Sequence, residues 1–361
     1  MLLRKLGGLA VSAALLLALT GCAPATTYPT ASPVSLTSCL LTQTQSYADN
    51  GINQELQYAL VQAEVMHGVR IHATSIESWA APEMVSNKFH ALLTRGCQMI
   101  FSVGAATSKI AADFASRHQD ISFINFGGVA PAKALRNLQI VHMDARQAFY
   151  LAGYLAAAQS KSKIIATFAA ANVDNGVNLI SAFKQGAERY AATTKVPVQV
   201  LGAEGTDPKL WQITSAAADS AGATKIAKLQ TDAGADVIAP FIGSDAAKFV
   251  KLFDTVRGPS RPLLIGYGGD WAKLSAFNGH QGAILSSVRF DMKQMLIGSV
   301  ERALGGDQVR PDNEISTNLL TSTVLLTPEA KVAWVGSVAD SISTIRNEII
   351  DGRTVVYLAN Q

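Results

Sequence analysis

The chain reads as an α/β protein made of two doubly wound parallel-sheet lobes and exported from the cytoplasm, and three observations carry this. From Leu36 onward, short apolar runs alternate with amphipathic stretches of helical period. The alternation occurs in two successive sets of similar size, as a two-lobe protein requires. Ahead of both sets stands an N-terminal export signal that ends in a cysteine.

The first set has strands at Leu36–Gln43, Val69–Thr74, Met99–Gly104, Ile121–Phe126 and Leu138–His142. Helices near Gln54–His67, Pro82–Arg95 and Ala106–Arg117 separate them. Such β-α-β-α repetition demands a parallel sheet covered on both faces, because each crossover returns a helix over the sheet. A helix at Gln147–Gln159 then carries the chain into a second set. Its strands are Lys163–Phe168, Val196–Gly202, Asp236–Phe241, Leu263–Tyr267 and Ala283–Val288, with helices near Val177–Tyr190, Ser220–Ala233 and Asp245–Arg257. A ligand of such a pair of sheets sits between them, beyond the carboxyl ends of the strands.

Arg4 and Lys5 precede an apolar run from Gly7 to Leu19, which ends in Leu19-Thr20-Gly21-Cys22. A cationic start, an apolar stretch too short for a durable span and small residues before a cysteine are the parts of a lipoprotein signal. Residues 1–21 are read as the signal peptide and Cys22 as a lipidated N-terminus on the extracytoplasmic side of the cell membrane. An ordinary secretory signal with an incidental cysteine is the alternative, and it too exports the chain. Residues 22–35, with Pro24, Pro29 and Pro33 among Ala, Thr and Ser, read as a flexible tether.

The whole chain has 30 basic and 27 acidic residues; without Arg4 and Lys5 of the signal the balance is 28 to 27. That even mixture lacks the basic stripe of a nucleic-acid binder. With 48% hydrophobic residues there is material for a large core. Cys39 lies in the first strand and Cys97 just before the third, which are neighbours in a 2-1-3 strand order. An oxidising compartment then favours a disulfide between them, with two buried thiols as the alternative.

Several segments together resemble one family, the basic membrane protein family of lipoproteins, which includes nucleoside-binding receptors of ABC transporters. They begin with Asn137-Leu138-Gln139-Ile140, Ala148-Phe149-Tyr150-Leu151-Ala152-Gly153-Tyr154-Leu155-Ala156-Ala157 and Ser160-Lys161-Ser162-Lys163-Ile164. Ala182-Phe183-Lys184-Gln185-Gly186, Gly234-Ala235-Asp236-Val237-Ile238, Ile265-Gly266-Tyr267 and Leu285-Ser286-Ser287-Val288 continue them in order over most of residues 36–305. The resemblance implies a type I periplasmic-binding-protein fold whose lobes are joined by a hinge with multiple crossovers. The first lobe is then 36–145 with a returning segment near 290–315, and the second is 146–288 with the C-terminal segment 316–361. It also implies a solute-binding protein of an ABC importer, with a nucleoside as leading ligand and an ABC permease as partner. The ligand loops depart from the family's pattern. In Asp49-Asn50-Gly51-Ile52-Asn53-Gln54-Glu55-Leu56-Gln57 the aspartate is kept, but Gln54 stands for a second acid and Leu56 for a stacking aromatic. Phe123-Ile124-Asn125 ends in an amide where the family often has an acid, Asp270 comes two positions late, and Arg289-Phe290 follows Ser286-Ser287-Val288 without the family's lysine.

A flat base on a hydroxylated sugar needs an apolar or aromatic slot together with hydrogen-bond acceptors, which carboxylates and amides supply. Asp49, Asn50 and Asn53 follow the first strand, Gly104 the third, and Asn125 with Phe126 ends the fourth. Asp49 serves equally as a turn or capping aspartate, and Asn125 as an amide closing its own turn. In the second lobe, Phe241 and Gly243 lead into a helix start whose free N–H groups suit an acceptor or a simple Ser/Asp cap. Tyr267, Trp211 and especially Trp271, beside Asp270, are candidate stacking rings, with lobe packing as the other reading. Arg289 pairs with an anionic ligand, with Asp270, or with solvent.

No His-Glu-x-x-His, Cys-x-x-Cys or Gly-x-Ser-x-Gly occurs, so neither an enzyme nor a bound cofactor or metal is expected. The expected partners are a small polar ligand, the permease, and the membrane through Cys22. A cell-surface sensor or structural lipoprotein that retains the fold without transport is the rival reading.

Overall fold

The computed structural model describes residues 35–43, 50–77, 80–170, 173, 175–205, 213–214, 220–242, 249–251, 253–254, 262–274, 281–307, 309, 314–318, 324–328, 334 and 336–359. Two sheets organise them. The first contains β1 (Thr37–Thr42), β2 (Arg70–Ser75), β3 (Met99–Val103), β4 (Ser122–Phe126), β5 (Leu138–Met143) and β12 (Glu314–Thr317). Their order is β12-β5-β4-β3-β1-β2, all parallel. The second contains β6 (Ile164–Ala170), β7 (Gln199–Leu201), β9 (Val237–Phe241), β10 (Leu263–Tyr267), β11 (Ile284–Phe290) and β13 (Val324–Pro328) in the order β13-β11-β10-β9-β6-β7. The short β8 (Ile213–Thr214) also pairs with β6, and β13 runs antiparallel to β11.

Strand alternation sends successive side chains to opposite helical layers. In the first sheet Leu40, Phe101, Ile124 and Val141 pack on the side of α1 (Ile52–His67) and α7 (Lys293–Leu304). Cys39, Ile100, Phe123 and Ile140 pack with α2 (Pro82–Thr94) and α3 (Ala105–Arg117). In the second sheet Ile165, Val237 and Ile265 join α4 (Arg146–Gln159), α5 (Gly176–Thr194) and α8 (Val338–Ile350). Phe168, Ile238 and Leu264 face α6 (Ser220–Asp232). Burial on both faces explains why these strands are nearly continuous apolar runs.

Among the described residues the chain changes sheet three times. It leaves the first after β5 into α4, returns after β11 into α7 against α1, and crosses again between β12 and β13. The strand expected at Val196–Gly202 is only Gln199–Leu201, since Pro197 has no N–H to give a ladder. Most of the helix expected at Asp245–Arg257 lies outside the described residues.

Several of the segments that carry the family resemblance hold the fold together. At Gly153 of α4 a Cβ would lie 1.8 Å from the Phe183 carbonyl oxygen, and at Gly186 of α5 one would lie 1.9 Å from that of Tyr150. The two helices therefore touch backbone to backbone, at reciprocal glycines. Asp236, just before β9, accepts from Ser160 Oγ at 2.6 Å and from the N–H groups of Lys161 at 2.7 Å and Ser162 at 2.9 Å, tying the α4–β6 turn to the sheet. Asn137 donates through Nδ2 to the carbonyls of Ala115, His118 and Ile121, closing the end of α3 onto the start of β5.

Cys39 and Cys97 form a disulfide with Cα atoms 5.9 Å apart. β1 does lie between β2 and β3, so the 2-1-3 order brings the pair together.

Tyr150, buried between α4 and its neighbours, has its phenol pushed above the ordinary value by desolvation, with Arg189 opposing the shift. The unfolded chain releases this proton near pH 10 and the folded chain only higher, so the folded state holds more protons in that window. Stability is therefore expected to fall as pH rises through about 10. Tyr150→Phe should flatten that fall, as measured by urea unfolding at a series of alkaline pH values.

Candidate functional site

Beyond the carboxyl ends of β1 and β10, the residues just ahead of α1 meet the loop after β10. Asn50 and Gly51 form an antiparallel bridge with Gly269 and Asp270. The Asp270 N–H donates to the Asn50 carbonyl at 2.8 Å, and Asn50 Nδ2 donates to the Lys273 carbonyl at 3.1 Å. Asn50 adopts a left-handed φ of 46°, and its N–H donates to Gln54 Oε1 at 2.8 Å. A glutamine of the first helical turn thus reaches back over the helix start to satisfy the N–H of the residue ahead of the N-cap. Gln54, which replaces an acid of the family pattern, thus shapes the loop.

Charges line the same contact. Asp270 pairs with Lys273 at 2.7 Å, and Arg289 at the end of β11 reaches Glu55 of α1 at 3.9 Å. Of the partners the sequence left open for Arg289, Asp270 is instead paired with Lys273 and Arg289 lies against Glu55. Glu55 and Lys273 were not singled out in the sequence; a first-turn acid and a loop lysine carry no mark of what lies opposite in space. After β5, Arg146 grips Asp144 with Nε at 2.9 Å and Nη2 at 2.7 Å, and that hydrogen bonding raises the guanidinium pKa still further.

The other expected site residues fall into two groups. Asp49, Gly243, Trp211 and Cys22 lie outside the described residues. Among the remainder, Asn53 is buried in α1 and accepts from the Gln43 N–H at 3.4 Å, fixing the exit of β1. Gly104 begins α3 with a left-handed φ of 88°, directly under the Gln43 amide. Asn125 is fully enclosed, and its Nδ2 donates to Ser102 Oγ and Thr107 Oγ1, both at 2.8 Å. It braces the β3–α3 turn from inside the lobe.

The described aromatic side chains named from sequence pack within the protein. Phe126 packs on Phe101, and Phe241 meets Phe149 at 4.3 Å between ring centroids; both are core side chains rather than open faces. Trp271 is 1% exposed. Its ring fills the space that a side chain at Gly266 would occupy, with Nε1 donating to the Tyr267 carbonyl at 3.2 Å and the backbone N–H to Ser287 Oγ at 3.1 Å. Tyr267 stays half-buried, its ring against Phe149 and Phe290. Leu56, at the position of the family's aromatic, is in the core of α1.

Among the described residues no group of three His, Cys, Asp or Glu side chains is placed to hold a metal ion, and no helix is long and apolar enough to cross a membrane. The family model of PnrA-like ABC transporter substrate-binding proteins matches residues 37–355. The chain belongs to this family. As a PnrA-like protein it is a substrate-binding component of an ABC transporter, a binding protein rather than an enzyme. No curated protein sequence matches it significantly.

Solved structures agree on the fold of this PnrA-like chain. An ABC transporter solute-binding protein from Aeropyrum pernix K1 superimposes with TM-score 0.70 at 13% identity, covering 89% of this chain and 94% of its own. One from Conexibacter woesei gives 0.67 at 13% identity, with coverages of 90% and 99%. A transcriptional activator of the comK gene from Bacillus halodurans gives 0.66 at 15% identity, with 89% and 100%. At such identities the likeness is one of fold, the type I periplasmic-binding-protein arrangement of two lobes.

Proposed function

We propose that this protein is a lipid-anchored extracytoplasmic receptor that closes its two lobes on a small polar solute of the nucleoside class and passes it to an ABC permease. The observation that carries this reading is the family match over residues 37–355, joined to loops from both lobes that meet at the carboxyl ends of their strands. Asn50, Asp270 and Arg289 offer amide, carboxylate and guanidinium groups at that meeting point, suited to hydroxyl and base-edge contacts. The aspartate at 49 and the backbone at 243 complete the proposed set. Solute contacts made to both lobes at once stabilise the closed arrangement, and the difference in affinity between states sets the shift in population.

The anchor follows from Leu19-Thr20-Gly21-Cys22 and the tether from residues 22–35. Together they hold the receptor near the permease and raise its local concentration there. The lobes are proposed as 36–145 with the segment near 290–315, and 146–288 with 316–361.

Mass spectrometry of small molecules released on denaturing gently purified protein tests the solute class. A purine nucleoside is the expected product. A different retained solute, such as a sugar or amino acid, would overturn the nucleoside assignment.

A further inference from the structure

We infer that the lobes carry a clasp of their own, made by backbone atoms and one side-chain amide, that holds them together independently of any solute. Two oppositely placed loops contribute. The bridge between Gly51 and Gly269, the Asp270 N–H to Asn50 carbonyl hydrogen bond at 2.8 Å and the Asn50 Nδ2 to Lys273 carbonyl hydrogen bond at 3.1 Å all run between lobes. Each joins protein to protein. The Arg289–Glu55 pair, at 3.9 Å, adds an ionic arm beside the crossing from β11 to α7.

Two features show the clasp to be preshaped. Asn50 adopts a left-handed φ of 46° with its N–H bonded to Gln54 within the same lobe, which leaves its carbonyl and its side-chain Nδ2 to meet the opposite loop. Gly269 admits no side chain: a Cβ there would lie 2.6 Å from the Asn50 carbonyl oxygen and 3.0 Å from Gly51 Cα. That closeness is needed only if the two loops meet.

A net intramolecular hydrogen bond shifts an equilibrium about fivefold, so the two interlobe bonds favour closure roughly 25-fold before the ionic arm is added. The clasp thus biases the lobes toward the closed arrangement without solute, and entry of a solute requires the clasp to part. This inference rests on the two-lobe fold and not on the identity of the solute.

Hydrogen exchange on the full-length protein, freed of small molecules, tests it. The Asp270 amide and the segment from Asn50 to Leu56 should be protected without any added solute. Gly269→Ala should speed exchange in both segments about tenfold or more, while β3 and β9 keep their protection. Asn50→Ala, which removes the amide donated to Lys273 and disfavours the left-handed turn, should move the same two segments by about fivefold and serves if Gly269→Ala does not fold. An Asp270 amide that exchanges at the rate of an open loop in the wild-type chain would overturn the clasp. So would a Gly269→Ala protein in which only its own segment changes.

Discussion

Gly186→Ala is expected to destabilise the protein by about 3 kcal/mol, and a larger residue there to prevent it from folding. The added Cβ would lie 1.9 Å from the Tyr150 carbonyl oxygen, 2.8 Å from its carbon and 2.9 Å from the Tyr154 nitrogen. Every one of these is a backbone atom of α4. No rotamer change relieves such a contact, so α4 and α5 must separate and loosen the core shared by Phe149, Leu179 and Phe183. Gly153→Ala should behave alike, because its Cβ meets Phe183 backbone from the other side. Gly298→Ala in α7 is the matched control: its nearest neighbour is the flexible Arg302 side chain at 3.5 Å, and it should gain about 0.5–1 kcal/mol through lower chain entropy. Urea midpoints of the three variants check the pattern, and equal midpoints for Gly186→Ala and Gly298→Ala would contradict it.

Loss of the Cys39–Cys97 disulfide is the other large effect. The bond closes a loop with a sequence separation of 58. Releasing a loop of that length gives the unfolded chain back about 4 kcal/mol of conformational freedom. Both cysteines are buried beside Phe89 and Phe114, so a double Ala variant adds a modest packing loss. The expected result is a Cys39→Ala/Cys97→Ala protein that unfolds at clearly lower urea concentration and no longer responds to reductant. A wild-type midpoint unchanged by complete reduction would exclude a stabilising bridge.

The lobes were legible in the sequence wherever burial on both faces makes a strand an apolar run, as in Met99–Val103 and Val237–Phe241. β12 gave no such signal. Glu314–Thr317 is four residues of mixed polarity that become a strand only because β5 lies alongside. The segments that resemble the family are legible for the same reason as the core. Gly153 and Gly186, Asp236 with Ser160-Lys161-Ser162, and Asn137 are contacts that build the fold, so their presence speaks to architecture and not to cargo.

The candidate site was only partly legible. Trp271 looked like an open ring because it follows a glycine-rich turn; Gly266 instead leaves a slot that the indole fills. The contact of Asn50 and Gly51 with Gly269 and Asp270 joins positions far apart in the chain through backbone groups, which leave no residue-type signature. Arg289 was legible as a cation, but its partner Glu55 comes from the other lobe.

The central claim is that this PnrA-like receptor captures a nucleoside between its lobes, and isothermal titration of the folded, small-molecule-free protein with a panel of nucleosides tests it most directly. Saturable binding of one nucleoside per chain, weakened by Asp270→Ala with the fold intact, is the predicted result. Absence of heat from every nucleoside, in protein whose unfolding midpoint matches that of the untreated chain, would contradict it.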